Sequence, residues 1–373
     1  MNIERITNHL LRFPLDSPVG GSGILSVDVL VTELRLASGT TGLGFSYVLG
    51  NTGKPAFCCA EVLAAGIVNT HFYHPAATWR TMNATLNRTG RGPNNIAMAA
   101  IDVACWDAYA REHGHILGVA LGGEPRAISV YGSGGYSASQ TADKVTMVTK
   151  QHVDAGFKAV KPRIDASRSG AEILRAACDA ASSNVDLMCD MNEKGTATQA
   201  RRLMAIAREC GYLFVEEPIP TDNLSAYRAL ARAYPRFAAV GEHLQGVKDA
   251  MPFLAEDICG VIQPDLAMIG GLTPALEVSR VADAHDVEVA PHFLPGLFVH
   301  LGYACPSLTW LEDFPLLEPL FKGWPAVVNG RMIAREVPGH GLSLVDGAFD
   351  RFRLAHSSIR PTAGPGGSDC EKG

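Results

Sequence analysis

Three carboxylates recur at a constant interval in the middle of this 373-residue chain. Asp190 closes the apolar run VDLMCDMN, Glu216 closes YLFVEEP and Glu242 closes FAAVGEH, and 26 residues separate each acid from the next. A strand, a helix and their two turns together take roughly 20–30 residues, so each interval spans one βα unit. Steps of that kind deliver the acids to the C-terminal ends of neighbouring parallel strands, where a β/α barrel keeps its chemistry. Three hard oxygen donors converging there suit a Mg2+-like ion, not zinc.

Other reactive side chains sit at further strand ends. Lys161 and Arg163, in GFKAVKPR, are two apart and so point to the same face of a strand. Asp265 ends VIQPDLAM and His292 ends VEVAPHF, on adjacent predicted strands. A carboxylate that holds an imidazole fixes its tautomer and raises its basicity, which makes a general base. Glu312, in LTWLED, could meet a substrate oxygen, and Ser133 and Asn192 are candidates for substrate hydrogen bonds. The run AMIGGLTP (267–274) lacks both GxGxxG and GxxxxGK[ST], so its glycines are read as tight βα turn residues.

The elements that must carry these residues follow from periodicity. Residues 2–14 and 25–37 alternate as strands, and 25–49 reads as a hairpin; the Gly/Pro-rich stretch DSPVGGSG (16–23) is a loop. Helical patterns at 55–68, 75–88 and 93–113 complete an N-terminal α+β domain over 1–123. From there to 317 the rhythm is strand then helix, with eight apolar strands in about 185 residues, the count for a β/α barrel. Residues 318–356 break into short β pieces expected to return to the first domain, and 357–373, rich in polar residues, Pro and Gly, are expected to form a disordered tail.

Composition narrows the function classes. A net charge of −6 with no Lys/Arg-rich run points away from nucleic acid and anionic membranes. No stretch of about 18 apolar residues exists, so no membrane span is expected. Nine cysteines without CxxC, most in apolar runs, read as reduced core thiols of a cytoplasmic protein.

AAIDVACWDA, GFKAVKPR, the Asp190–Glu216–Glu242 series, QPDLAMIGGLTP, APHF and WLED occur together in this order, and over nearly the whole chain to about residue 350 it resembles the mandelate racemase subgroup of the enolase superfamily. The resemblance implies an α/β fold with a modified, TIM-like (β/α)7β barrel and an N-terminal capping domain. It implies one Mg2+ per chain on Asp190, Glu216 and Glu242, and an Asp265–His292 acid/base dyad. It further implies that Glu312, protonated or sharing a proton, hydrogen-bonds an enolic intermediate and that Lys161 lies near the substrate carboxylate. The 16–23 loop and the Tyr47 region would close over the substrate. The expected partner is a small carboxylate, taken by a homo-oligomer.

One departure bears on the reaction. The subgroup often carries Lys-x-Lys at the second barrel strand, and this chain has Arg163 at the second position. A guanidinium rarely yields its proton, so it is a poor base at neutral pH. Racemisation wants an acid/base group on each face of the carbanion, whereas β-elimination of water needs one. Dehydration of an acid sugar therefore leads. A racemase or epimerase using Arg163 or Lys161 as second base is the alternative, and a catalytically silent binding protein is the third reading.

Overall fold

Alternating apolar residues build three antiparallel strands at the start of the chain: β1 (Ile3–Pro14), β2 (Ser26–Leu36) and β3 (Thr41–Leu49). The computed structural model describes residues 2–68, 70–167, 169–181, 183–361 and 368–372. Helices Lys54–Ile67, Pro75–Ala84 and Pro93–Glu112 follow, close to their predicted bounds. The last of these lies directly on β3. A Cβ at Gly42 or Gly44 would meet the backbone of Ala104 or Ala100 at 2.1 and 2.0 Å, so glycine is what permits that approach.

The polar C-terminus departs from its expected disorder. Arg353–Pro361 pairs with β1, placing Ile359 opposite Ile6, and Ser368–Lys372 pairs outside it. A free strand edge recruits backbone hydrogen bonds whatever the side chains, and Ser357 and Ile359 are buried there. Residues 362–367 and 373 of the expected tail lie outside the described residues.

Eight parallel strands make the barrel: β4 (Ile128–Gly132), β5 (Ala159–Val160), β6 (Asp186–Asp190), β7 (Phe214–Glu216), β8 (Ala238–Val240), β9 (Cys259–Ile262), β10 (Glu288–Val289) and β11 (Trp310–Asp313). They neighbour one another in sequence order, β11 returns to β4, and the bridge Val289–Leu308 closes the circle. One inward residue from each of β4 to β9, with Ala290 just past β10, fills the interior: Tyr131, Ala159, Met188, Phe214, Ala239, Val261 and Ala290. Mixing large rings with alanines is how a tapering barrel is packed solid. A helix follows each strand from β4 to β10, which is the (β/α)7β arrangement. Thr141 and Thr196 cap two of these helices through their hydroxyls, as the helix-start pattern requires.

Residues 318–352 strap both halves together. Arg331–Met332 pairs with β4, while Phe321 packs on Phe45 and the His340 N–H donates to Asp107. Of the cysteines with described side chains, Cys105, Cys189, Cys259 and Cys305 are buried and all eight are free thiols. Among the described residues no helix is long and apolar enough to cross a membrane.

The AMIGGLTP turn is where the N-terminal layer grips the barrel. Gly270 and Gly271 have φ of 93° and 119°, and a Cβ on Gly271 would strike Asp102 at 2.5 Å. The Thr273 N–H and hydroxyl donate to the two Asp102 oxygens at 2.8 and 2.7 Å, and the Trp106 indole donates to the Thr273 hydroxyl at 2.9 Å. Asn95 donates to Met268 O at 2.7 Å and Trp79 to Gly270 O at 2.9 Å. Thr273→Val strips a partner from both Asp102 and Trp106 in a buried site. We expect it to lower unfolding free energy by about 2–4 kcal/mol, read by denaturant titration; a loss below about 0.5 kcal/mol would show that this contact does not hold the layers together.

Candidate active site

The repeated interval places its acids at strand ends, though not all at one height. Asp190 and Glu216 are direct partners at the ends of β6 and β7. Glu216 stands opposite Ala239, so Glu242 lies three residues further on, beyond Gly241 at φ 145°. Barrel stagger accounts for the difference: each strand is displaced along its neighbour, so equal loop lengths do not mean equal register. Non-glycine residues just past these ends are left-handed: Asn192, Glu193, Glu217, Phe293 and Leu294 all have positive φ. Such turns cost energy and cluster where side chains must be aimed.

A cavity of about 390 Å3 opens here. Gly20 and Ser22 of the 16–23 loop and Tyr47 of β3 line one side, and Arg163, Glu242 and His292 line the other. The loop presses on Arg163 so closely that a Cβ at Gly20 would meet its guanidinium at 2.3 Å.

Opposite charges interleave beneath the cavity. Lys161, 1 % exposed, donates to Glu216 Oε2 at 2.5 Å and pairs with Glu312 Oε1 at 2.9 Å. Arg163 Nε lies 3.7 Å from Asp190 Oδ2, with the guanidinium over the Phe314 ring. His292 Nδ1 meets Asp265 Oδ2 at 2.9 Å, while its Nε2 is 3.6 Å from Glu242 Oε1 and 4.0 Å from Glu312 Oε2. Glu312 Oε2 also accepts the Phe293 N–H at 2.9 Å. The predicted dyad, both predicted cations and Glu312 therefore meet in one place.

Burial and crowding perturb these groups. Burial raises the Glu216 carboxyl, Lys161 opposes that, and Asp190, Glu312 and Glu242 add to the rise. Burial alone would disfavour the His292 imidazolium, but Glu242, Asp265 and Glu312 outweigh it and raise the ring to about 10. Glu312 is opposed by burial yet held at about 2 by Lys161 and His292. Lys161 and His292 thus flank Glu312 as the two groups that favour its ionised form.

The donor set fits a hard divalent cation. Glu216 Oε1 and Glu242 Oε2 are buried carboxylate oxygens with no hydrogen-bond partner, which is costly unless something positive meets them. A tighter group lies beside them. Ligand atoms of Glu193, Glu217 and His243 all fall within 4.8 Å of one another, closer than those of Asp190, Glu216 and Glu242. That group satisfies itself: His243 Nδ1 meets both Glu217 oxygens at 3.0 and 2.9 Å, and the Thr221 N–H donates to Glu193 at 2.6 Å. It ties together the loops that follow the three acids.

Other sequence candidates fall unevenly. Asn192 lines the cavity and its N–H donates to Asp190 Oδ1 at 2.7 Å. Ser133, buried just past the end of β4, lies beside Glu312, where its hydroxyl helps hold the carboxyl down. Tyr47, expected to contact substrate, lines the cavity and donates its hydroxyl to Asp265 Oδ2 at 2.5 Å. Gln263 escaped the sequence reading; its amide donates to Glu216 Oε2 at 2.9 Å. A polar residue one place before the Pro-Asp of a strand end was the available signal. Glu217 and His243, each one position beyond a strand-end acid, escaped for the same reason.

Comparison with known proteins finds matches over both halves of the chain. Residues 12–122 match the N-terminal domain of mandelate racemase and muconate lactonizing enzyme, and residues 144–348 match the enolase C-terminal domain-like family. The chain is 26% identical over 361 residues to L-talarate/galactarate dehydratase of Salmonella typhimurium, covering 93% of this chain and 90% of that protein. It is 25% identical over 365 residues to an L-Lys-D/L-Arg epimerase of Methylococcus capsulatus, covering 93% and 100%. The crystal structure of L-talarate dehydratase from Polaromonas sp. JS666, complexed with Mg and L-glucarate, superposes with a TM-score of 0.89 at 26% identity, over 97% of this chain and 100% of that one. The chain belongs to the mandelate racemase and muconate lactonizing enzyme family of the enolase superfamily.

Proposed function

We propose that this chain removes the proton α to a substrate carboxylate with His292, holding one Mg2+ ion on Asp190, Glu216 and Glu242. The reaction we assign is dehydration of an acid sugar, an aldonate or aldarate, to a 2-keto-3-deoxy acid. A one-sided base carries this reading. His292 gives its Nδ1 to Asp265 and turns Nε2 toward the cavity. Lys161, by contrast, is committed to Glu216 and Glu312, and Arg163 is a guanidinium whose proton its carboxylate neighbours help to retain.

When bound, the ion supplies positive charge at the substrate carboxylate and offsets Glu242 beside the His292 ring. His292 Nε2 accepts the C2 proton, Asp265 steadies the resulting imidazolium, and Lys161 balances charge developing on the carboxylate oxygens. The same imidazolium then protonates the departing C3 hydroxyl, which leaves as water. The remaining enol ketonises. The talarate/galactarate dehydratase relative supports this choice, while the epimerase relative supports racemisation with Arg163 or Lys161 as second base.

The metal assignment is checked by calorimetry. Glu216→Gln is expected to weaken Mg2+ binding by at least about tenfold with an unchanged circular dichroism spectrum, and unchanged affinity would remove Glu216 from the ligand set. The base is checked by exchange. With Mg2+ present, His292→Asn should slow incorporation of solvent deuterium at C2 by about 10²–10⁴-fold while KM stays nearly constant; near wild-type exchange would move the base elsewhere. The reaction class is checked with galactarate, D-gluconate and arabinonate in deuterated water. A 2-keto-3-deoxy acid carrying deuterium at C3 is expected, without build-up of the C2 epimer. Interconversion of C2 epimers without keto acid would establish the epimerase reading instead.

A further inference from the structure

We propose that Tyr47 is a positioning residue that completes the Asp265–His292 pair from outside the barrel, so that the base is assembled only while the N-terminal layer is docked. This rests on the reading of His292 as the base. Tyr47 sits on β3, 218 positions before Asp265, yet its hydroxyl donates to Asp265 Oδ2 at 2.5 Å. That oxygen also receives His292 Nδ1 at 2.9 Å, and the phenol oxygen is 3.5 Å from the same nitrogen. Asp265 Oδ1 is occupied as well, by the N–H groups of Ala267 and Met268 at 2.9 and 2.8 Å. Two donors on each oxygen leave the carboxylate no freedom to rotate and no site for water.

Tyr47 is suited to this task. It is 7 % exposed, and its ring packs edge-on against Phe293, the residue after His292, at 4.9 Å. Burial, then Asp265, raise its phenol well above the ordinary value, so it serves only as a donor to the carboxylate. The same layer also holds the helix that Asp265 caps. Asp265 caps the short helix Leu266–Ile269, and Asn95 and Trp79 bind the carbonyls of Met268 and Gly270 at that helix's end. Asp265 thus receives Tyr47 directly, while Asn95 and Trp79 of the same layer hold the helix it caps. Phe293 and Leu294, in left-handed conformation, make the segment after His292 a strained turn that the surrounding contacts must maintain.

Tyr47→Phe removes one oxygen and keeps the ring against Phe293, so the fold is retained. The direct readout is NMR of protein labelled with 15N-histidine, with Mg2+ and without substrate. We expect the His292 Nδ1–H resonance to move and its exchange with water to accelerate about ten- to hundredfold. With whichever of galactarate, D-gluconate or arabinonate turns over, kcat should fall by about tenfold or more while KM and calorimetric Mg2+ affinity stay within about twofold. An unchanged Nδ1–H signal would overturn the proposal, as would a variant in which KM, Mg2+ affinity and melting temperature all shift together with kcat. The two readings fail separately. If His292→Asn keeps C2 exchange, the base assignment is wrong; if it abolishes exchange while Tyr47→Phe behaves as wild type, only the role of Tyr47 is.

Discussion

Unlike charges forced together inside a closed barrel are what the rest of this structure serves. Asp190, Glu216, Glu242, Asp265 and Glu312 share the mouth with Lys161, Arg163 and His292, and most of these groups are buried. An isolated ion in such a place costs several kcal/mol or more, so each must meet a partner or change its protonation state. Lys161 answers two carboxylates and Asp265 answers His292. Glu216 and Glu242 still keep oxygens that no protein group meets. Negative charge in excess at one end of a rigid scaffold is a site prepared for a cation.

Rigidity has to be supplied by parts far from the charges. The packed layer of Tyr131, Met188, Phe214 and their neighbours fixes strand spacing below the mouth. Left-handed residues turn the chain soon after two of the acids, at Asn192 and Glu193 beyond Asp190 and at Glu217 beyond Glu216, and Glu193 and His243 line a separate cavity. The outward set, Glu193, Glu217 and His243, then cross-links the loops from behind. Cap and barrel are joined through the Gly270–Gly271 turn, which lies one short helix from Asp265. Mechanical contact between the layers is thus continuous with the dyad.

Much of this was legible in the sequence because the chemistry and the period coincide. The 26-residue interval encodes a βα unit, and the acids, Lys161, Arg163, Asp265, His292 and Glu312 all mark strand ends where polar residues interrupt apolar runs. Residues that act across elements were not legible. Tyr47 reads as one more aromatic on an alternating strand, and nothing local says that its hydroxyl reaches 218 positions onward. Gln263, Glu217 and His243 sit next to recognised residues, but which face each takes depends on backbone turns that no period records. The C-terminal strand was hidden for a different reason: Arg353–Pro361 is ordered by the free edge of β1, and its own polar composition gives no sign of that.

The central claim is that Asp190, Glu216 and Glu242, and not the tighter outward group, form the cation site. Anomalous diffraction from crystals soaked in Mn2+ tests it most directly, because the signal locates the ion without assuming any activity. The account predicts one peak per chain, about 2.1 Å from an oxygen of each of these three carboxylates and within the cavity that His292 faces. A peak held by Glu193, Glu217 and His243, with none at the inner three, would contradict it.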